Sequence, residues 1–165
     1  MALGVDVAVD VAGGSFAAAG YLVGGYAPAS QGLGVGAFVG ASWFREQPLG
    51  PGFVDWWRWP FGIGPSLRAV TGNVMWDASA GPALGWLHFA GSNFDHTSGQ
   101  NGVALGGFLY LRVSSRGRRG GVFGLANAQL YPGDFAAQAS GRGGPWLAPV
   151  PRFSLGLALG AWLAP

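Results

Sequence analysis

The chain is short of charge and lacks the residues that build covalent or thiolate frameworks. Only 10% of its 165 residues are charged, and it contains no cysteine. A chain without cysteine forms no disulfide and offers no thiolate to a metal. An ordinary soluble domain carries about 25% charged residues, so a surface this poor in charge would associate in water. The composition therefore favours a protein whose surface is covered, for example by lipid.

Long hydrophobic runs are also missing, although half of the residues are apolar. A transmembrane helix needs about 18 consecutive apolar residues, so membrane helices are not expected. The net charge is +2, and the basic residues are dispersed apart from RGRR at 116–119. Nucleic-acid binding needs a basic stripe, so no nucleic-acid partner is expected. No cofactor or metal is expected either, because the two histidines have no carboxylate cluster nearby.

The apolar residues alternate with small or polar ones. In GVALGGFLYLRV (102–113), Val103, Leu105 and Leu109 share one parity, whereas Phe108, Tyr110 and Arg112 share the other. Successive side chains of a strand point to opposite faces, so this pattern predicts a strand with one aliphatic face. The same pattern recurs at 3–11, 33–44 and 153–163.

Segments of about ten residues with this alternation are typical of transmembrane β-barrels. Every backbone polar group must be paired inside lipid, which requires a closed sheet. The sequence therefore predicts one all-β domain, 1–165, folded as a closed antiparallel up-and-down transmembrane barrel of eight strands. The predicted strands are 3–12, 16–27, 33–45, 66–77, 83–91, 102–114, 120–131 and 152–163. Glycine, with 32 residues, suits a narrow lumen because it leaves room for aromatic and charged side chains.

The predicted connections alternate in length, short after the second, fourth and sixth strands and long after the third, fifth and seventh. Short turns at one rim and long loops at the other match outer-membrane barrels, whose long loops face outside. On these features the chain resembles the small eight-stranded outer-membrane barrel proteins of Gram-negative bacteria. The resemblance implies a location in the bacterial outer membrane, with loops 46–65 and 132–151 presented outside.

Four charged residues fall on the strand faces that are predicted to line the lumen. Asp6 and Asp10 lie on the first strand, Arg112 on the sixth and Arg152 on the eighth. The first and eighth strands are neighbours in a closed barrel, and buried charges need partners. We therefore expect an Asp–Arg network in the lumen, and we favour a structural role for it over a gate.

The stretch FDHTSGQNG (94–102) contains a candidate catalytic pair. His96 and Ser98 are two residues apart, so they share a face in an extended segment, and histidine can act as the base that activates serine. Outer-membrane lipid hydrolases use a His-x-Ser arrangement, but Gly99 replaces the asparagine that usually follows the serine. We favour a polar external loop, and lipid hydrolysis or deacylation by His96 and Ser98 is the alternative.

Aromatic residues concentrate in DWWRWPF (55–61). Tryptophan favours the membrane interface, and exposed tryptophan and arginine are frequent at binding surfaces. We therefore expect an interfacial anchor or recognition surface formed by Trp56, Trp57, Arg58 and Trp59.

Together these features predict an integral outer-membrane protein with a structural or surface-interaction role. The expected partners are membrane lipid or detergent, with lipopolysaccharide as a candidate, and the expected state is a monomer. A small pore is an alternative, because inward glycines could leave a path for water. A soluble barrel is another, if the aliphatic face points inward.

Overall fold

The computed structural model describes residues 3–12, 15–92, 100–115, 117, 120–133, 136–141 and 144–163. These residues form strands and no helix, so the all-β class predicted from the alternation is confirmed. A search of the same residues for a helix long and apolar enough to cross a membrane finds none. The ten strands are β1 (Leu3–Ala12), β2 (Ser15–Tyr26), β3 (Gly32–Leu49), β4 (Gly52–Thr71), β5 (Val74–Ser92), β6 (Gln100–Ser115), β7 (Gly120–Leu130), β8 (Ala136–Gly141), β9 (Gly144–Pro149) and β10 (Phe153–Leu163).

Eight of these strands form a barrel, and the other two form a separate hairpin. The order around the barrel is β1-β10-β7-β6-β5-β4-β3-β2, and neighbouring strands are antiparallel. The ring closes between β1 and β10, where Leu3 lies opposite Leu163 and Ala12 opposite Ser154. β8 and β9 pair with each other within the connection from β7 to β10.

The turn between β4 and β5 lies inside a segment that was predicted to be a single strand. The segment 66–77, predicted as one strand, contains the turn at Gly72 and Asn73. Gly72 has a φ of +58°, a left-handed conformation that glycine adopts without steric cost. A two-residue turn requires little more than one such glycine. Because the chain contains 32 glycines, a single glycine does not mark a turn clearly in the sequence.

The segment 46–65, predicted as a long external loop, is also strand. β3 continues to Leu49, the chain turns at Gly50 and Pro51, and β4 begins at Gly52. Proline has no N–H to donate to a neighbouring strand. Pro60 is tolerated inside β4 because the pairing of β4 with β3 is interrupted there, between Arg58 and Phe61.

Strand length divides the barrel into a tall part and a short part. β3, β4, β5 and β6 contain 18, 20, 19 and 16 residues, whereas the other barrel strands contain 10 to 12. β2 pairs with β3 only up to Trp43, and β7 pairs with β6 only down to Gly107. One wall, which we call the β3–β6 wall, therefore extends beyond the rest of the barrel at the rim that carries the β3–β4 turn.

The outer face of the barrel is aliphatic. Leu105, Leu157 and Leu159 are 69%, 71% and 79% exposed, whereas Tyr110 and Arg112 are buried. The orientation predicted from the alternation is therefore the observed one on these strands. It is the reverse of a water-soluble barrel, in which the aliphatic face would be inside.

Aromatic rings fill the middle of the lumen, and glycines face them. The ring centroids of Phe38 and Phe108 are 4.8 Å apart, and that of Tyr21 lies 6.5 Å from Phe38. A Cβ atom added at Gly62 would lie 2.6 Å from the ring of Phe108, and one at Gly40 would collide with Tyr21. These glycines make the space that the rings occupy, because any larger residue would overpack the lumen.

Candidate functional site

The aromatic cluster 56–59 alternates between the two faces of β4. Trp56 and Arg58 point into the lumen and are 5% and 1% exposed, whereas Trp59 is 50% exposed on the outer face. Trp57 lies on the outer face as well. The sequence interpretation placed all four residues on one exposed surface. They are split because the segment is a strand, and a strand sends successive side chains to opposite faces.

The two inward residues belong to a plug at the extended rim. Trp56 stacks on Phe44, with 3.9 Å between ring centroids. Arg58 donates a hydrogen bond from Nη2 to the carbonyl oxygen of Pro151 at 2.8 Å. Its guanidinium carbon also lies 4.7 Å from the ring centroid of Tyr131. Because Tyr131 and Pro151 flank the β8–β9 hairpin, Arg58 holds both ends of that connection at the barrel mouth.

The outward residues form a groove on the opposite face of the sheet. Trp59 lies opposite Trp86, and Trp57 lies opposite His88, in the register of β4 and β5. The ring centroids of Trp57 and His88 are 5.1 Å apart, and Trp57 stacks on Trp43. A shallow groove of about 300 Å³, which we call the outer aromatic groove, is lined by Trp57, Trp59, Trp86 and His88.

Asp77 is the centre of the charge network in the described lumen. Its Oδ1 accepts a hydrogen bond from Nε of Arg68 at 2.6 Å, and its Oδ2 accepts one from Nη2 of Arg112 at 2.6 Å. The three residues lie directly opposite one another on β4, β5 and β6. Cross-strand pairs of opposite charge at such positions stabilise a sheet.

This network differs from the one expected from the sequence. Arg112 lines the lumen but pairs with Asp77, and the side chains of Asp6 and Asp10 lie outside the described part of the chain. Arg152 precedes β10 and is exposed at the rim. Arg68 and Asp77 were missed because the sequence interpretation placed both on one strand. A turn at Gly72 would have placed them opposite each other.

The candidate catalytic pair His96 and Ser98 lies outside the described residues, as do all of residues 93–99. Within the described ranges, no group of three or more histidine, aspartate or glutamate side chains could hold a metal ion.

The described lumen leaves little room for solvent. Its middle contains a cavity of about 10 Å³, which holds at most about one water molecule. The plug of Phe44 and Trp56 lies toward the extended rim, and the charges around Asp77 lie toward the other rim. Three groups of side chains thus occupy the described part of the lumen, which is typical of a narrow packed barrel. The cavity is lined by Tyr21, Val23, Phe38, Phe108, Leu109, Tyr110, Leu125, Asn127 and Gln129.

An antiparallel barrel with an aliphatic outside and a packed lumen is the fold of small bacterial outer-membrane β-barrel proteins. A major outer membrane protein from Thermus thermophilus has a TM-score of 0.64 and 14% identity, with 98% of each chain covered. Neisserial surface protein A has a TM-score of 0.59 and 10% identity, covering 98% of this chain and 94% of that one. Ail, the attachment invasion locus protein of Yersinia pestis, has a TM-score of 0.58 and 14% identity with the same coverage. No protein-family model and no curated protein matches the chain.

Proposed function

We propose that the chain is an integral protein of the bacterial outer membrane with a structural or surface-interaction role. The observation that carries this proposal is a belt of apolar side chains around the outside of the barrel, with tryptophans at both ends. Membrane barrels place an apolar band against lipid and aromatic residues at its two interfaces.

The dimensions of the belt support a membrane location. Trp76 and Trp86 lie ten residues apart on the outer face of β5. At ~3.3 Å per residue and a strand tilt of ~40°, they are separated by ~25 Å along the barrel axis, which is the height of the apolar band in outer-membrane barrels. The outward residues between them are Ala78, Ala80, Pro82 and Leu84.

We propose that the upper β3–β6 wall and the β8–β9 hairpin face outside. Beyond the level of Trp86, the outer face of the wall carries the polar residues Asp55, Ser92 and Asn101, which suit water rather than lipid. Residues 46–65 then contribute an upright β-hairpin rather than a loop. Residues 132–151 contribute the β8–β9 hairpin above the mouth.

The packed lumen favours a surface role over transport, because it offers no wide path for solutes among the described residues. Two of the similar structures are a neisserial surface protein and the attachment invasion locus protein of Yersinia pestis. A surface role for this chain agrees with those names.

Membrane insertion of the purified chain is the direct test. We expect the protein to require detergent or lipid, and to migrate differently on a denaturing gel before and after boiling. Leu157→Arg, on the aliphatic face of β10, should lower the inserted fraction, because arginine facing the middle of the bilayer costs about 2–4 kcal/mol.

Gln31→Arg is the matched control, because Gln31 is exposed in the connection between β2 and β3. This variant should insert like the unmodified protein. A monodisperse monomer in detergent-free buffer would overturn the proposed function.

A further inference from the structure

The outer aromatic groove has the size of a small-ligand site. Trp59 and Trp86 are about half exposed, and Trp57 and His88 lie two residues further toward the extended rim on the same two strands. A volume of about 300 Å³ is at the lower end of the range for small-molecule pockets, roughly 300–1,000 Å³. The groove therefore suits part of one small molecule better than a protein partner.

His88 distinguishes this groove from a simple apolar anchor. Its Nδ1 lies 2.7 Å from Oδ1 of Asn101. The amide oxygen Oδ1 only accepts hydrogen bonds, so the Nδ1–H of His88 donates to it. Whenever the imidazole is neutral, Nε2 is a hydrogen-bond acceptor in a ring that lines the groove, and it matches a ligand hydroxyl or amide N–H.

The groove lies at the upper end of the apolar belt. Trp86 marks that end, and His88 lies two residues beyond it on the same face of β5, which is ~7 Å along the strand. In a bilayer this step leads from the acyl chains to the polar interface. A lipid with its chain against Trp59 and Trp86 would place its interfacial polar group beside His88.

We propose that the outer aromatic groove binds one sugar-bearing lipid of the outer leaflet, with a hydroxyl or amide N–H of that lipid donating to Nε2 of His88. This proposal rests on the proposed function, since it requires the barrel to lie in the outer membrane. The groove is continuous with the lipid-facing belt, so a lipid is the natural occupant. In phosphatidylethanolamine only the ammonium group can donate to Nε2, whereas a sugar-bearing lipid offers several hydroxyl and amide N–H donors at the same depth.

The test is native mass spectrometry of the full chain after release, at pH 8, from nanodiscs of phosphatidylethanolamine and lipopolysaccharide without O-antigen. We expect one lipopolysaccharide molecule to remain bound per barrel. Retention should fall at least about tenfold when Trp59→Ala and Trp86→Ala are combined. His88→Leu keeps the apolar bulk but removes Nε2, so it should lower retention by up to about tenfold, the loss expected for one hydrogen bond.

Trp76→Ala is the matched control, because Trp76 is an outward tryptophan on the same strand but lies between Ala69 and Val113, outside the groove. It should retain lipopolysaccharide like the unmodified protein, and gel migration before boiling checks the folding of each variant. Equal retention in all variants, or preferential retention of phosphatidylethanolamine, would overturn this proposal and leave the proposed function standing. Failure of the unmodified chain to enter nanodiscs would overturn both.

Discussion

Asp77 illustrates at the residue scale how the narrow lumen accommodates charge. The carboxylate is buried between two guanidinium groups, and each of its oxygens accepts a short hydrogen bond from a different arginine. A buried charge without a partner is costly. Asp77 therefore allows both Arg68 and Arg112 to occupy the lumen.

We expect Asp77→Asn to destabilise the barrel by about 3 kcal/mol, because it leaves the buried Arg112 without its counter-charge. Urea unfolding of the inserted protein in detergent micelles or vesicles measures this change. Gln31→Glu, which also changes the charge by one unit but lies exposed between β2 and β3, is the control and should change stability much less. An Asp77→Asn variant as stable as the unmodified protein would mean that the network contributes little to the fold.

The β8–β9 hairpin is the element whose position depends most on contacts outside the barrel sheet. Trp146 of β9 packs against the β3–β4 turn, where a Cβ atom added at Gly50 would lie 2.6 Å from the indole. Arg58 holds Pro151, just after β9, by a hydrogen bond. The hairpin is thus fixed at one wall and at the barrel mouth rather than by pairing with a barrel strand.

Trp146→Ala should release the hairpin and leave the barrel folded. The substitution removes the indole that rests on the β3–β4 turn, so we expect faster proteolytic cleavage within 132–151 and unchanged heat-dependent gel migration. Leu147→Ala is the control, because the side chain of Leu147, next to Trp146 in the sequence, is 63% exposed. Equal cleavage rates in the two variants would contradict the packing role of Trp146.

At the scale of the whole molecule, the aliphatic outer face and the packed lumen have the same cause, which is the alternation of side chains along each strand. The alternation of each strand sends leucine and valine outward and glycine, aromatic and charged residues inward. Rings such as Phe38 and Phe108 meet across the lumen only because glycines such as Gly62 face them. The same sequence pattern therefore produces both an aliphatic outer face and a packed lumen in the described part of the barrel.

The unmodified barrel should show no conductance above background in a planar bilayer, because the middle of the described lumen leaves a cavity of only about 10 Å³. Combining Phe38→Ala and Phe108→Ala removes two of the rings that fill the middle of the lumen and should increase leakage of small ions. Insertion must be verified by gel migration in both cases. Steady conductance of the unmodified, inserted protein would favour the small pore instead.

Much of the fold was predictable from local pattern, whereas the site residues were predictable only in part. The bounds of β1 and β10 were predicted to within one residue, since clean alternation between turn residues marks such strands. The lumen position of Arg112 followed from its parity. Its partner Asp77 did not, because partnership requires the position of the β4–β5 turn. The outer aromatic groove combines residues from two strands, and no single stretch of sequence contains it.

By itself, the sequence determined that the chain forms strands, that their aliphatic faces point to one side, and that their other faces are lined with glycine and aromatic residues. These are properties of a period of two, which is local. Only the tertiary structure decided that Asp77 joins Arg68 to Arg112, that residues 46–65 stand as a hairpin, and that Trp59 meets Trp86. The reason is register: which residues lie opposite each other depends on where neighbouring strands turn, and a shift of one residue changes every such pair.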